Sequence, residues 1–413
     1  MRRPLAVGAT LALICVLVIS LTTARARQLS AENTYASRLA SAQTSVQTSL
    51  QTAGSEGVPA WRLSGIQSRK RTLDSRVPPA SFPVFGGERV TFYRNQSRAY
   101  AELARQVRDA VRTATVSSRA HAGALIHNLG AMIPQGKPLG LDMSQVQTIL
   151  SHAEVSFSHA VYPSDFDKVS RVVAGEIASA GRAMTARRAQ LAAIVNQAGG
   201  SRASVAGLVE SQTQSVDPQL SLLGLFTGRA GTYRQELTQQ GAGARSARTN
   251  EAAALAELEA RDVLARVRAD YAKTVPSKFV LVSTENQSAQ MYQDGRVVYS
   301  TPVTTGGPEL PTDHGVFHIY EKISPFVFHS PWPPDSPYYY APTPVQYWMP
   351  FDGGEGLHDA SWRSNFGPGS NVAPTDLGGG RTILGTHGCV NLPNDAAGFV
   401  WNWAPLGTTV VVV

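Results

Sequence analysis

The six residues Thr386-His387-Gly388-Cys389-Val390-Asn391, close to the C-terminus, are the most informative stretch of this 413-residue chain. The chain has 2 cysteines, and the other, Cys15, lies in an apolar N-terminal run, so Cys389 has no obvious disulfide partner. A lone thiol becomes a nucleophile when a nearby imidazole accepts its proton. Gly388 has no Cβ, so backbone N–H groups around it can approach a reacting carbonyl. The stretch therefore predicts cysteine chemistry.

Two histidines are candidates for the base that accepts the thiol proton. His387 stands close to Cys389 in the sequence, whereas His358, within Gly356-Leu357-His358-Asp359, belongs to a separate segment. A histidine on a neighbouring strand can face the thiol directly, while residues two apart in a tight turn need not meet. The sequence therefore favours His358 as the base.

Two other interpretations of Cys389 stay open at this level. A cysteine beside a glycine is often a small buried apolar residue. A zinc site is the second alternative, although no CxxC or HExxH spacing supports it. Its ligands would be Cys389, His387, His358 and His314.

The whole pattern resembles the catalytic domain of the L,D-transpeptidases, bacterial cysteine enzymes that cross-link peptidoglycan. In that family a histidine and a spacer precede Ser/Thr-His-Gly-Cys, a hydrophobic residue and Asn or Arg; here His358 precedes residues 386–391. The family's first strand, hairpin, glycine-containing loop and closing strand are matched by residues 279–282, 290–295, 302–307 and 407–411. The resemblance covers the last third of the chain.

The resemblance implies a reaction and roles for the site residues. Cys389 would attack the carbonyl preceding the terminal D-alanine of a tetrapeptide stem, and amides near Gly388 and Cys389 would hold the oxyanion. His358 would move the proton, and an amine of a second stem would resolve the thioester, with no cofactor or metal. The backbone of Asp359 is expected to orient the imidazole. Three residues are expected to shape the site: Thr386, His387 and Asn391.

The same resemblance implies that carbapenem-type β-lactams acylate Cys389, and it leaves two rival functions open. Water in place of the amine would make the protein an L,D-carboxypeptidase. The domain could also be a non-catalytic wall-binding module, although the retained His358 and Cys389 argue against that. The expected biological role is cell wall biogenesis and cell shape, with peptidoglycan stem peptides as donor and acceptor.

Two departures from the family affect the cleft and the acceptor. Thr312-Asp313-His314-Gly315 stands where the family has Thr-Pro-x-Gly. The spacer after His358 is longer than usual, and glycine-rich residues 367–370 and 378–380 predict a looped insertion. The Pro- and aromatic-rich residues 324–350 correspond to the family's lid, or form a surface loop that packs its own aromatics. Expected substrate-binding residues there are Tyr347, Trp348 and Met349.

The N-terminus predicts export. Arg2 and Arg3 precede an apolar run over residues 5–21, and Ala24-Arg25-Ala26 offers a cleavage site, so the segment is a signal peptide or an uncleaved anchor. The protein is expected to be secreted or anchored to the cell membrane, facing the cell wall.

Charge is distributed unevenly along the chain. The net charge is +7, but residues from Lys273 onward carry 6 basic and 11 acidic side chains, so the preceding region is strongly basic. In an exported protein this region would face anionic lipid or wall polymers, with no nucleic acid as partner. Ordinary solvated helix faces are the alternative.

Hydrophobic periodicity predicts an α+β fold: an N-terminal membrane segment, an α-helical bundle or stalk, and a C-terminal mostly-β L,D-transpeptidase-like catalytic domain. Helices are predicted around residues 93–111, 144–160, 165–197 and 250–273, with a linker at 64–83 and glycine breaks at 199–200 and 241–243. Strands are predicted at 279–283, 289–292, 296–303, 316–320, 345–351 and 408–413. A helix up to Trp403, N-capped by Asn394 or Asp395, would favour a thiolate at Cys389. The predicted domains are 1–27, 28–90, 91–272 (wall-binding or spacer) and 273–413.

Overall fold

The structure, a computed structural model, describes residues 5–80 and 87–413. The prediction for Arg2 and Arg3 lies outside these residues. Within them, helices occupy the chain up to residue 274, and strands with one further helix follow. The predicted α+β class is confirmed. Contacts divide the chain into two compact units, residues 1–189 and 190–413.

The helices differ widely in length. They are α1 (Leu5–Ser55), α2 (Ala60–Asp74), α3 (Gly87–Gly136), α4 (Ser144–His159), α5 (Pro163–Gln197), α6 (Arg202–Gly224), α7 (Arg229–Ser246), α8 (Asn250–Thr274) and α9 (Asn394–Trp403). The predictions for 144–160, 165–197 and 250–273 are confirmed as α4, α5 and α8. The glycine break at 241–243 is wrong, because these residues lie inside α7, where Gly243 packs closely on α8 beside Ala256.

Helix α1 carries the apolar N-terminal segment. Within the described part of the chain, it is the helix that is long and apolar enough to cross a bilayer, with a mean hydropathy of 1.4 over its best window. It continues without a break through the predicted boundary at residue 27. Whether the segment is cleaved stays a prediction.

The polar half of α1 packs with α2 and α3 around one apolar core. Val46 and Leu50 of α1 meet Tyr100 and other buried residues of α3. The predicted linker at 64–83 is wrong up to residue 74, because Leu63 and Ile66 are buried in this core and residues 60–74 are helical. Residues 75–80 are not helical.

The strands form a second, separate core. They are β1 (Lys278–Ser283), β2 (Ser288–Gln293), β3 (Arg296–Pro302), β4 (Gly315–His318), β5 (Phe326–Phe328), β6 (Thr343–Val345), β7 (Trp348–Asp352), β8 (Glu355–Asp359), β9 (Pro374–Gly378), β10 (Arg381–Leu384), β11 (Val390–Leu392) and β12 (Thr409–Val412). Five of them make a sheet in the order β3-β2-β1-β12-β4, in which only β1 and β12 run parallel. Helix α9 packs on this core through Ala396, Ala397 and Val400. The predicted Asp294-Gly295 hairpin is confirmed, and both residues have positive φ (51° and 77°).

Helices α6 to α8 belong to the same compact unit as the strands. They share a core of their own, and Phe226 after α6 packs edge-on against Phe279 of β1 at 5.3 Å between ring centroids. Tyr271 of α8 reaches the β2–β3 turn, where a Cβ on Gly295 would lie 2.5 Å from its hydroxyl. The domain boundary at residue 272 therefore stays a prediction that these contacts do not favour.

A second sheet, in the order β11-β8-β7, carries Val390 and Asn391, the end of the Thr386–Asn391 stretch, on its edge strand β11. Strand β8 pairs parallel with β11 and antiparallel with β7. The predicted strand 345–351 is split into β6 and β7, and the predicted looped insertion contains the β9–β10 hairpin, whose turn is made by Gly378, Gly379 and Gly380 at positive φ. The predicted N-cap of α9 is wrong, because Pro393 holds that position and no side chain caps it.

Candidate active site

Strand pairing brings Cys389, His358 and Asn391 to one face of the second sheet. Asn391 pairs with His358, while Val390 and Leu357 beside them are fully buried in the core. Because side chains alternate along a strand, Cys389, directly before β11, points to the same side as Asn391. All three line one cavity of about 400 Å³.

The His358 ring is held in one tautomer. Its Nδ1 lies 2.8 Å from the backbone carbonyl oxygen of Asp359, and since a carbonyl only accepts, Nδ1 carries the proton and Nε2 keeps its lone pair. Phe328 and Trp362 contact the imidazole at 5.0 and 5.8 Å between ring centroids. Burial lowers the pKa of His358 to about 4. The imidazole is therefore neutral at rest, with the Nε2 lone pair free of a proton.

The Asp359 side chain has a different task from its backbone. Its carboxylate accepts hydrogen bonds from the backbone N–H groups of Gln346 (3.1 Å) and Tyr347 (2.7 Å). These residues connect β6 to β7, so the carboxylate fixes the end of the aromatic segment next to His358. The expected orienting role of the Asp359 backbone agrees with the bond to His358 Nδ1.

The Cys389 thiol is neutral at rest. Sγ is half-buried and donates to the Gly354 carbonyl at 3.6 Å. Burial raises the pKa of the Cys389 thiol to about 12, and the nearby Glu355 carboxylate adds to this, while a hydrogen bond from the Gly356 backbone opposes it. The expected thiolate beside the N-terminus of α9 stays a prediction that this burial does not favour, and β11 lies between Cys389 and that helix.

Hydroxyl groups position the peptide that carries Cys389. Thr386 Oγ1 donates to the Cys389 carbonyl (2.6 Å), and Thr312 Oγ1 donates to the Gly388 carbonyl (2.6 Å). The Gly306 N–H in turn donates to Thr312 Oγ1 at 2.9 Å. The Gly388 N–H, an expected oxyanion donor, instead donates to Thr386 Oγ1 at 3.2 Å in this arrangement. Thr312, the first residue of the Thr312–Gly315 turn, is therefore a support of the site.

The segment between β5 and β6 forms one wall of the cavity, as the lid interpretation of residues 324–350 predicts. Trp332 and Tyr340 line the cavity, and each ring lies 5.0 Å from that of His387. His387 Nε2 also contacts the Tyr338 carbonyl at 2.9 Å. His387 thus holds this wall, which agrees with a shaping role. His314 of the zinc alternative lies elsewhere, with Nε2 2.9 Å from Thr284 Oγ1.

Comparisons with known proteins identify the domain that contains this cavity. Residues 277–412 match the YkuD family model, described as the L,D-transpeptidase catalytic domain. The C-terminal third of the chain belongs to the L,D-transpeptidase family. No curated protein matches the sequence.

Solved structures similar to this chain include L,D-transpeptidases of two genera. A variant of the Enterococcus faecium enzyme is 27% identical over 37% of this chain and 63% of its own, with a TM-score of 0.27. The NMR structure of the E. faecium catalytic domain is 30% identical over 33% of this chain and 96% of its own, with a TM-score of 0.25. The Mycobacterium smegmatis L,D-transpeptidase is 23% identical over 34% of this chain and 59% of its own, with a TM-score of 0.27. The chain thus spans under two thirds of the first relative's length.

The structure places the three expected substrate-binding residues of this domain outside the cavity lining. Met349 is fully buried in the core, Trp348 is 6% exposed and packs on Phe326 and Phe328, and Tyr347 packs on Trp401. The described residues that line the cavity do not include these three. The aromatic lining is Phe328, Trp332, Tyr340 and Trp362. The aromatic composition of 324–350 was the right signal, but which aromatics face inward depends on the β5–β6 pairing.

Sequence reasoning also missed one carboxyl group of the transpeptidase domain. Glu355 begins β8 and lines the cavity. Its Oε2 accepts the Asp313 N–H at 3.1 Å, and a Cβ added to Gly388 would lie 2.5 Å from its Oε1. Burial raises the pKa of Glu355 to about 7, and the charges of Asp313 and Asp352 add to the effect.

Proposed function

We propose that the protein is an exported peptidoglycan L,D-transpeptidase that forms cross-links through a thioester on Cys389. The observation that carries the proposal is the convergence of Cys389, His358 and Asn391 on one cavity within a domain of this family. The aromatic and polar lining suits a peptide ligand. Peptidoglycan stem peptides are the proposed donor and acceptor.

Acylation would begin from the neutral pair. As Cys389 Sγ attacks the carbonyl before the terminal D-alanine of a tetrapeptide stem, its proton passes to His358 Nε2, which the Nδ1 bond to Asp359 leaves free to accept. Backbone amides near Cys389 would hold the oxyanion, with the Gly388 N–H leaving Thr386 Oγ1 to do so. His358 then protonates the departing D-alanine amine. An amine of a second stem resolves the thioester in the reverse order.

The proposed location follows from α1. Its apolar segment would hold the protein at the cell membrane or direct its export, and the basic region before Lys273 would face lipid or wall polymers. The helices before the catalytic domain would act as a wall-binding region or spacer.

Product masses test the proposal. The full chain, in detergent, is incubated with disaccharide-tetrapeptides, and products are read by mass spectrometry. Cross-linked dimers are expected, with a thioester adduct on the protein. Tripeptides alone would indicate an L,D-carboxypeptidase, and no product would indicate a non-catalytic wall-binding module. Cys389→Ala should give neither product nor adduct, and Cys389→Ser should be nearly inactive because a hydroxyl is far harder to ionise. Full turnover by Cys389→Ala would refute the mechanism.

A further inference from the structure

The reaction proposed above uses Cys389 and His358 but leaves Glu355 without a task. Its carboxyl group lines the same cavity and lies against Gly388, the residue directly before the nucleophile. Gly354, the neighbour of Glu355, supplies the carbonyl that the Cys389 thiol contacts. The carboxyl group is therefore beside the place where the thioester would form.

The position of Glu355 is fixed by the turn that departs from the family. The Asp313 N–H donates to Oε2. A proline at this position, as in the family's Thr-Pro-x-Gly turn, would have no N–H to donate. Asp313, which stands where the family has proline, therefore holds the Glu355 carboxyl group in place through its backbone N–H.

The carboxylate of Glu355 is not matched by a protein cation. In the described residues, no Lys, Arg or His forms an ion pair with it, and its charged neighbours are Asp313 and Asp352. A half-buried carboxylate without a cation is costly. A cationic group on a ligand in the cavity would satisfy it, and it would also lie next to Cys389.

Acylation offers no use for this charge, because a negative charge beside the thiol disfavours the thiolate. The second half of the reaction, in which an amine attacks the thioester, does offer a use for this charge. The acceptor is an amine, which is an ammonium ion in neutral solution and cannot attack until it loses a proton.

We propose that Glu355 binds the ammonium group of the acceptor and takes its proton. This inference rests on the proposed function, and it names the acceptor class as a primary amine that arrives protonated.

The proton transfers balance. Glu355 carboxylate takes one proton from the ammonium group and becomes a carboxylic acid. The neutral amine forms a C–N bond with the thioester carbonyl carbon and gives a second proton to His358 Nε2. The C–S bond breaks, the Cys389 sulfur takes the proton from His358, and Glu355 returns its proton to solvent. The net products are an amide, a free thiol and one proton.

The test separates a charged acceptor from a neutral one. Wild-type full chain and Glu355→Gln are acylated with a disaccharide-tetrapeptide at pH 7.5, and the thioester is trapped with Nα-acetyl-lysine methylamide, an ammonium ion at that pH, or with hydroxylamine, which is uncharged. Asp352→Asn is the matched control: it removes a carboxylate from the same hairpin, and Asp352 is not among the residues lining the cavity.

Transfer to the lysine amine is expected to fall about 10- to 100-fold in Glu355→Gln, the worth of one charge-assisted hydrogen bond. Transfer to hydroxylamine should stay within about threefold, and acylation should not slow, because the charge that opposes the thiolate is gone. Asp352→Asn should lower none of the three rates, because it leaves the Glu355 carboxylate in place. Alkylation of Cys389 by iodoacetamide should become faster in Glu355→Gln, because a charge that opposes the thiolate is gone.

Two results would overturn the inference. Equal losses with the lysine amine and with hydroxylamine would show that Glu355 acts on the fold of the site and not on an ammonium ion. Wild-type rates with both acceptors would show that Glu355 is not used. Failure of wild-type protein to form any acyl-enzyme is a different result, which would overturn the proposed function and this inference with it.

Discussion

Gly388→Ala tests whether the close approach of Gly388 to Glu355 positions the nucleophile. Gly388 has φ +105°, a conformation that a residue with a Cβ adopts at a cost of about 1–3 kcal/mol. The new Cβ would lie 2.5 Å from Glu355 Oε1 and 3.2 Å from its carboxyl carbon. Glu355 can move away only by giving up its bond to the Asp313 N–H, which adds about 1.5–3 kcal/mol. The variant is therefore expected to lose about 2.5–6 kcal/mol of stability, or to shift the Gly388–Cys389 peptide.

A shift of that peptide should reduce reactivity strongly, because a misplacement of about 1 Å can cost about 100-fold in rate. We expect the rate of carbapenem adduct formation at Cys389, followed by intact mass, to fall about 100-fold at a temperature where the variant is folded. Gly380→Ala is the matched control: Gly380 also has positive φ (+78°), but nothing lies within 4 Å of the added Cβ. It should lose stability without losing the adduct rate.

A second variant separates the contact from the backbone strain. Glu355→Ala in the Gly388→Ala background removes the obstructing carboxyl group, so part of the lost adduct rate should return. Adduct formation by Gly388→Ala at the wild-type rate would refute the argument that this approach positions Cys389. A double variant that is no faster than the single one would show that backbone strain alone is responsible.

Two further predictions concern the base and the domain boundary. His358→Ala should lower the adduct rate by about 10² to 10⁴, the usual contribution of a positioned acid or base. His387→Ala should lower it less, because His387 holds the wall formed by Trp332 and Tyr340. The reverse order would mean that the base is His387. A fragment of residues 190–413 should unfold at a higher temperature than one of residues 272–413. The shorter fragment loses the Phe226–Phe279 contact and the core of α6 to α8. Equal melting temperatures would instead support the boundary at residue 272.

Long helices could be predicted from the sequence because their signal is local. The periodic apolar positions of 250–273 give α8 within a residue, and Thr249, whose Oγ1 accepts the Ala252 N–H at 3.1 Å, caps its start. Helix α7 was missed because its glycines suggested a break. Those glycines allow close helix packing, which the sequence of one segment does not reveal.

The reacting residues of the site could be predicted from the sequence, but the residues that line the cavity around them could not. Cys389 and His358 belong to a motif, so a resemblance identifies them. Strands β8 and β11 are short, and they exist because they pair with each other across a long stretch of chain. The cavity lining and the contact between Glu355 and Gly388 depend on that pairing. The raised pKa of the Cys389 thiol could not be predicted for the same reason, because burial is a property of the assembled fold.

The electrostatics of the site differ between the two halves of the proposed reaction. At rest the pKa of Cys389 is raised and that of His358 is lowered, so both groups are neutral and the thiol is protected until a donor carbonyl is in place. The charge of Glu355 contributes to that protection by opposing the thiolate. Once the sulfur is acylated it carries no charge, and the penalty disappears. The same carboxylate then attracts an ammonium ion to the thioester, so the group that slows the first step favours an amine over water in the second.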